Sequence, residues 1–174
     1  MDGQSQDERY TRAAAEYGPA LERLARAYEA DADQRRDLLQ EVHLALWRSF
    51  ALFDGRCALR TWVYRVGHNA AASHVAARRR ARAGAMVALE DLELSDDDAG
   101  PERALGEQQA LARLMAMIRA LKPPDAQVML LYLEDMDAAA IGEITGISAG
   151  AIATKIHRIK ALLAKRFHDQ GGNT

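Results

Sequence analysis

The sequence predicts an all-α protein made of two small helical domains that are joined by an acidic, flexible linker. The chain of 174 residues is rich in Ala, Leu and Arg and has only four Pro residues, a composition that favours helices. Apolar residues recur at spacings of three and four along several segments, whereas no run of alternating β-branched residues occurs. We predict an N-terminal helical bundle over residues 1–83, a linker over 84–103 and a helix-turn-helix domain over 104–174.

The first two predicted helices run over residues 10–30 and 34–52. Gly18-Pro19 interrupts the first one, so the sequence leaves open two helices or one kinked helix. The second helix has a wide apolar arc, which indicates burial on two sides. Its polar edge carries Asp37, Gln40 and Glu41. This edge is either solvated or in contact with a partner, and the pattern does not decide between the two.

The third predicted helix, over residues 59–82, belongs to a stretch of one charge sign. No Asp or Glu occurs between Gly55 and Leu89. A run of like charge repels itself unless it meets anions. Aromatic residues interleaved with cations suit single-stranded DNA, where bases stack and phosphates take the charge. The alternatives are a solvated basic face for the arginines and a core position for the ring of Trp62. The basic and aromatic residues concerned are Arg56, Arg60, Trp62, Tyr64, Arg65, Arg78, Arg79, Arg80 and Arg82.

Between the two domains lies an acidic segment that ends in Gly100-Pro101. It carries too little apolar surface to order itself, so we predict a linker there. Helices follow over residues 102–121 and 126–133. The second of these is almost entirely apolar but far shorter than the ~20 residues that cross a bilayer. It is predicted to lie buried beneath the elements that follow it.

A helix-turn-helix is predicted over residues 136–167. Asp137 can cap a short helix that ends at Gly146, and Ser148 can cap a longer helix over residues 149–167. Cations occupy the faces of the longer helix outside its apolar stripe, so it can enter the DNA major groove. An ordinary helical hairpin with a solvated basic face is the alternative. The stripe consists of Ile152, Ile156, Ile159 and Leu163.

Motifs of catalysis and of metal or cofactor binding are absent from the sequence. There is no Gly-rich phosphate loop, and His68 and His74 lie six residues apart, off a common helix face. Cys57 is the only cysteine, so no internal disulfide can form. We therefore expect no enzyme and no cofactor. The polar, acidic start of the chain and the lack of a bilayer-length apolar run predict a cytoplasmic protein without membrane insertion.

Three stretches in this order resemble the bacterial RNA polymerase sigma factors of the extracytoplasmic-function (ECF) group, in the sigma-70 family. DLLQEVHLALW (37–47) is similar to the family's polymerase-binding helix. LRTWVYRVGHNAA (59–71), running on to Arg78–Arg80, is similar to its promoter-melting helix. Residues 134–165, including Gly146-Ile147-Ser148, are similar to its C-terminal helix-turn-helix. The resemblance implies a factor that binds RNA polymerase core and directs promoter recognition and strand opening, and it implies an anti-sigma partner.

The resemblance also implies residue roles. The residues facing the clamp helices of the largest polymerase subunit would be Asp37, Gln40, Glu41 and Leu44, while Trp47 would pack in the core of the first domain. The residues holding one promoter element, with Asn69 beside an extruded base, would be Arg60, Arg65, Asn69, Arg78, Arg79 and Arg80. The residues meeting the other element in the major groove would be Ser148, Ala151, Thr154, Lys155 and Arg158.

Two other functions remain open at this stage. A stand-alone helix-turn-helix regulator that binds operator DNA as a dimer explains residues 137–167 but leaves Trp62, Asn69 and the arginines without a role. A helical adaptor that binds only protein explains neither basic surface. Promoter-dependent transcription with core polymerase separates the sigma factor from both alternatives.

Overall fold

A computed structural model describes residues 5–84 and 102–171 of the chain. The described residues form seven α-helices and no strand, which confirms the predicted all-α class. The helices are α1 (Gln6–Tyr28), α2 (Ala32–Ser49), α3 (Leu59–Gly84), α4 (Glu102–Arg119), α5 (Pro123–Leu133), α6 (Ala138–Thr145) and α7 (Ala149–Gly171).

Helix α1 is one continuous helix with Pro19 inside it, which decides between the two forms that the sequence left open. Proline at this position removes a hydrogen bond to the carbonyl of Ala15. Both residues are exposed, so water can satisfy that carbonyl. The helix begins at a capping box, in which Glu8 N–H donates to Ser5 Oγ at 3.2 Å and Ser5 N–H donates to the Glu8 carboxylate at 2.9 Å.

Helices α1, α2 and α3 pack together as an N-terminal three-helix bundle. The ring of Trp62 lies against Phe53, with centroids 5.2 Å apart, and its Nε1–H donates to Ser49 Oγ at 2.9 Å. The half-buried ring of Trp62 therefore packs against the core, which is the alternative that the sequence left open for it. The buried residues of this bundle include Leu21, Leu24, Leu38, Val42, Leu46, Phe50 and Val63.

The C-terminal half places α5 beneath the helix-turn-helix, as predicted. Helix α5 starts three residues before the predicted Ala126, because Pro123 and Pro124 fit the first helical positions, where no N–H is needed. It packs against both α6 and α7. The apolar core that they share includes Val128, Leu131, Met136, Ile141, Ile144 and Ile152.

The two halves contact each other, which the sequence did not decide. Helix α3 packs against α5 and α6, and α1 packs against α4. Tyr64 of α3 belongs to the same buried cluster as Val128 and Ile141. The predicted linker falls mostly on residues 85–101, which lie outside the described residues, and the proposed domain boundaries stay a prediction.

Candidate nucleic-acid and protein interfaces

One face of α2 carries the four residues assigned to polymerase binding. Asp37, Gln40, Glu41 and Leu44 are all exposed, and their spacing of three, one and three residues puts them on a single face. Leu44 keeps 46% of its surface in solvent. The structure thus brings the predicted set together as one acidic and apolar surface.

Trp47 extends that surface by one turn. It is 38% exposed, and its Nε1–H donates to Asp7 Oδ1 at 2.7 Å. The prediction that Trp47 packs in the core is therefore wrong. Leu46 and Phe50 already fill the buried side of α2, and residue 47 points about 100° away from residue 46. Leu44 and Trp47 form an apolar patch, which is typical of a contact surface.

Glu41 is held in place by a buried histidine of α3. Its carboxylate accepts a hydrogen bond from His74 Nδ1–H at 3.0 Å. The buried His74 Nε2 has no hydrogen-bond partner among the described residues. A carboxylate oxygen accepts, so the ring nitrogen Nδ1 is the donor of this hydrogen bond. A helix-to-helix hydrogen bond therefore orients one carboxylate of the α2 face.

Part of the predicted basic surface of α3 is open to solvent. Arg60, Asn69 and Arg80 are exposed. The guanidinium of Arg60 lies over the ring of Tyr64, 5.6 Å from its centroid, a geometry that keeps the cation at the surface. These three residues are available to phosphates and to an unstacked base.

The other three arginines of the predicted DNA-binding set on α3 make contacts within the chain. Arg78 forms an ion pair with the buried Glu29 at the end of α1. Arg65 donates to the backbone carbonyl of Glu143, and Arg79 donates to that of Arg119. The first contact stays within the N-terminal bundle, whereas the other two connect the halves. Arg65 and Arg78 are half-buried, whereas Arg79 stays exposed in spite of its contact.

The turn of the helix-turn-helix depends on two glycines. Gly146 ends α6 in the left-handed region at φ +78°, as the sequence predicted. Gly142 is needed for a different reason, because a Cβ there would lie 2.6 Å from the carbonyl oxygen of Ile147. The turn folds back onto α6 so closely that residue 142 must lack a side chain. At the start of α6, Asp137 accepts from Ala140 N–H at 2.8 Å, which confirms the predicted cap.

The first turns of α7 present most of the predicted major-groove residues. Ser148 Oγ accepts from Ala151 N–H at 3.3 Å, so this serine caps the helix as predicted. Ala151, Thr154 and Arg158 are exposed. Lys155 differs, because its ammonium forms an ion pair with Asp125 in the first turn of α5.

Comparison with known proteins decides the family. The family described as Sigma-70 region 2 matches residues 13–81, and the one described as Sigma-70, region 4 matches residues 111–163, so that together they cover more than half of the chain. The ECF RNA polymerase sigma factor SigW of Bacillus subtilis is 25% identical over 145 residues, covering 78% of this chain and 76% of SigW. The chain belongs to the ECF group of sigma factors.

Other relatives of this sigma factor align over most of both lengths. RNA polymerase sigma factor NccH of Alcaligenes xylosoxydans xylosoxydans is 28% identical, covering 84% of this chain and 80% of NccH. RNA polymerase sigma factor CnrH of Cupriavidus metallidurans is 29% identical, covering 86% of this chain and 82% of CnrH.

Two solved structures share the fold of this sigma factor. CnrH in complex with the cytosolic domain of CnrY has a TM-score of 0.64 at 22% identity, covering 92% of this chain and 88% of that one. The sigma factor RpoE in complex with the anti-sigma factor NepR from Bartonella quintana has a TM-score of 0.66 at 17% identity, covering 90% and 94%. Within residues 5–84 and 102–171, no helix is both long and apolar enough to cross a membrane.

Sequence reasoning missed two functional features of this sigma factor. His74 was considered only as half of a metal pair, whereas it holds Glu41. Gly142 was treated as an ordinary residue of α6, although it permits the tight turn. A glycine in the middle of a short helix is unfavourable by itself, and that local penalty was the available signal for Gly142.

Proposed function

We propose that this sigma factor binds RNA polymerase core through the exposed face of α2 and reads two promoter elements with α3 and α7. The observation that supports this most is the separation of charge by surface. The acidic and apolar face lies on α2, while exposed cations lie on α3 and α7. One molecule can therefore touch a protein and two stretches of DNA at the same time.

The α2 face supplies both parts of a specific protein contact. Leu44 and Trp47 offer apolar area, while Asp37 and Glu41 offer negative charge around it. Complementary charge sets register and association rate, and the desolvated apolar centre supplies affinity. We assign this face, formed by Asp37, Gln40, Glu41 and Leu44, to the clamp helices of the largest polymerase subunit.

Helix α3 is assigned to the promoter element that opens. Its exposed members Arg60, Asn69 and Arg80 can hold the backbone of a single strand, with Asn69 reading an extruded base by its amide. Arg78 acts indirectly, since its ion pair with Glu29 ties α3 to the end of α1. Arg65 is half-buried in its contact with the carbonyl of Glu143, whereas Arg79 has an exposed side chain that can meet DNA.

Helix α7 is assigned to the other promoter element. Ser148, Ala151 and Thr154 lie on its first turns, where a recognition helix meets base edges. Arg158 lies one turn further on and can reach a guanine edge or a phosphate. Lys155 is tied to Asp125 and so contributes to holding α7 on α5.

This assignment gives the protein no catalytic site of its own, since the polymerase makes the RNA. Its place of action is the cytoplasm, where core polymerase and promoters are found. Its exposed apolar patch on α2 also suits an anti-sigma partner that covers the polymerase-binding face, because a helix of complementary charge could bury Leu44 and Trp47.

Binding to purified core polymerase tests the assignment of the α2 face. We expect the wild-type protein to co-elute with core enzyme in size-exclusion chromatography and to give promoter-dependent run-off RNA. Asp37→Arg combined with Gln40→Ala should weaken core binding about tenfold or more, because it places a cation on the negatively charged face of α2 that is proposed to contact the polymerase. Glu107→Arg with Gln108→Ala makes the same charge change at exposed positions of α4 and should bind like wild type. Equal binding by both double variants would contradict the assignment.

A further inference from the structure

The first turn of α1, residues 6–9, lies against the last turn of α2. The side-chain amide of Gln6 donates to the backbone carbonyl of Trp47 at 2.8 Å. The indole Nε1–H of Trp47 donates to Asp7 Oδ1 at 2.7 Å. The last four carbonyls of a helix lack their usual partner, and Gln6 provides a donor for one of them. One contact therefore holds the backbone of residue 47, and the other holds its side chain.

The first turn of α1 is itself fixed in place. The capping box at its start orders its backbone. Arg9 donates to the carbonyl of Phe53, beyond the end of α2, at 3.2 Å. The hydroxyl of Tyr10 forms a hydrogen bond with Nδ1 of His43 on α2 at 3.1 Å. The start of α1 cannot move away from α2 without breaking these contacts, so the Asp7 carboxylate has a defined place beside Trp47.

Trp47 is the side chain on the α2 face for which a defined orientation matters most. It is 38% exposed and lies one turn from Leu44, which is 46% exposed. Tryptophan is enriched among the residues that dominate protein interfaces, because its ring buries a large area while only two torsions are ordered. A hydrogen bond already present in the free protein removes part of the entropy loss on binding.

We propose that Asp7 is a positioning residue for polymerase binding, which holds the indole of Trp47 in the orientation in which its ring contacts RNA polymerase core. This inference rests on the proposed function, because it takes the α2 face as the polymerase contact. Gln6 and Asp7 precede residue 13, where the match to Sigma-70 region 2 begins, so the family match assigns them no role. The polymerase-binding surface then extends from α2 onto the first turn of α1.

Direct contact of the Asp7 charge with the polymerase is the competing explanation, since this side chain is exposed. The two explanations differ in the atom that matters. Positioning needs an oxygen that accepts from the indole N–H, whereas direct attraction needs the negative charge. Asp7→Asn keeps an oxygen acceptor without the charge, and Asp7→Ala removes both. Trp47→Phe keeps an aromatic ring but has no N–H to donate.

The affinity for purified core polymerase separates the two explanations. The full chain carries a fluorescein at its C-terminus, and its anisotropy is followed as core enzyme is added. Asp7→Ala should weaken binding about two- to tenfold, while Asp7→Asn should stay close to wild type. In the Trp47→Phe background, Asp7→Ala should have no further effect, because the hydrogen bond is already lost. Glu107→Ala removes the same charge at an exposed position of α4 and should bind like wild type.

The indole N–H signals of the free protein report the hydrogen bond without any polymerase. The chain has two tryptophans, so the ¹⁵N–¹H spectrum contains two such signals, and the one lost in Trp47→Phe belongs to Trp47. Asp7→Ala should shift this signal and speed its exchange with water. The signal of Trp62, which donates to Ser49, should stay unchanged. Unchanged helicity by circular dichroism shows that each variant is folded.

Three results would overturn the positioning role: wild-type affinity in Asp7→Ala, equal losses in Asp7→Asn and Asp7→Ala, or the same loss from Asp7→Ala in the Trp47→Phe background. Failure of the proposed function gives a different pattern. If Asp37→Arg with Gln40→Ala leaves core binding unchanged while Asp7 and Trp47 remain coupled, the assignment of the acidic face is rejected and the positioning role is kept. If wild type does not bind core polymerase, both are rejected.

Discussion

Gly142 decides whether the helix-turn-helix can close. Its missing side chain leaves room for the carbonyl of Ile147, which would lie 2.6 Å from a Cβ. Backbone atoms are on both sides of this contact, so no side chain can move aside to relieve it. The distance comes from the tertiary path of the turn, which explains why sequence reasoning found Gly146 from its position after a helix but passed over Gly142.

Gly142→Ala should lower the free energy of unfolding by about 1–3 kcal/mol, because the turn must shift to admit a methyl group. Gly150→Ala is the matched control, since nothing lies within 4 Å of a Cβ at that helical position. The control should be neutral or more stable by up to about 1 kcal/mol. Chemical denaturation followed by circular dichroism measures both, and equal stabilities would contradict the account of the turn.

His68 makes stability depend on pH. It lies fully buried in α3, where it hydrogen-bonds Tyr28 at 3.0 Å, and burial lowers the pKa of His68 from 6.5 to about 3. Between those values the unfolded chain binds a proton that the native protein excludes. The stabilisation is therefore complete above pH 6.5 and is lost as the pH falls from there toward 3.

Below the pKa of free histidine, we expect the free energy of unfolding to fall by up to about 1.4 kcal/mol per pH unit. Denaturant unfolding of wild type and His68→Asn at about pH 7.5 and about pH 5.5 isolates the contribution of His68 to the pH dependence of stability, because the other titrating groups are common to both proteins. The variant should be less stable near neutrality but should lose less stability on acidification. An identical pH dependence of the two proteins would show that His68 takes up its proton in the native state.

At the scale of single elements, most helices were predictable and their exposed faces were only partly so. Apolar periodicity predicted the longer helices, because the apolar stripe is a property of the local sequence, while capping residues predicted α6 and a continuous apolar run predicted α5. It could not say that Trp47 points outward, since Leu46 and Phe50 compete for the same buried side of α2. It also could not find the hydrogen bond from His74 to Glu41, which joins two helices.

Lys155 and Arg158, two of the cations of α7, should behave differently although both were predicted to meet DNA. Arg158 is exposed, whereas Lys155 is paired with Asp125. Arg158→Ala should weaken binding of double-stranded promoter DNA by about 1–3 kcal/mol if it reads a base, and should flatten the salt dependence if it meets only phosphate. Lys155→Ala should affect DNA binding less and lower thermal stability more. Anisotropy titrations at several salt concentrations, with thermal melts, measure both, and a larger DNA effect for Lys155 would contradict the structure.

At the scale of the whole molecule, the sequence predicted the order of elements and the function but left the relation of the halves open. The docking depends on Arg23 meeting Glu134 and on Arg119 meeting the end of α1, contacts between residues about a hundred positions apart. No local pattern encodes such pairs. The separation of charge onto α2, α3 and α7, in contrast, is visible in the sequence. The exposure of these charges in the structure supports the function that the sequence predicted.

In the function proposed here, one molecule both contacts the polymerase and reads the promoter. Mapping of RNA 5′ ends, after transcription of genomic DNA fragments by core polymerase with this protein, tests it most directly. We predict new start sites that share two sequence elements upstream, that disappear with Asp37→Arg/Gln40→Ala, and that are fewer or altered with Arg158→Ala. Start sites identical to those of core polymerase alone would contradict the account.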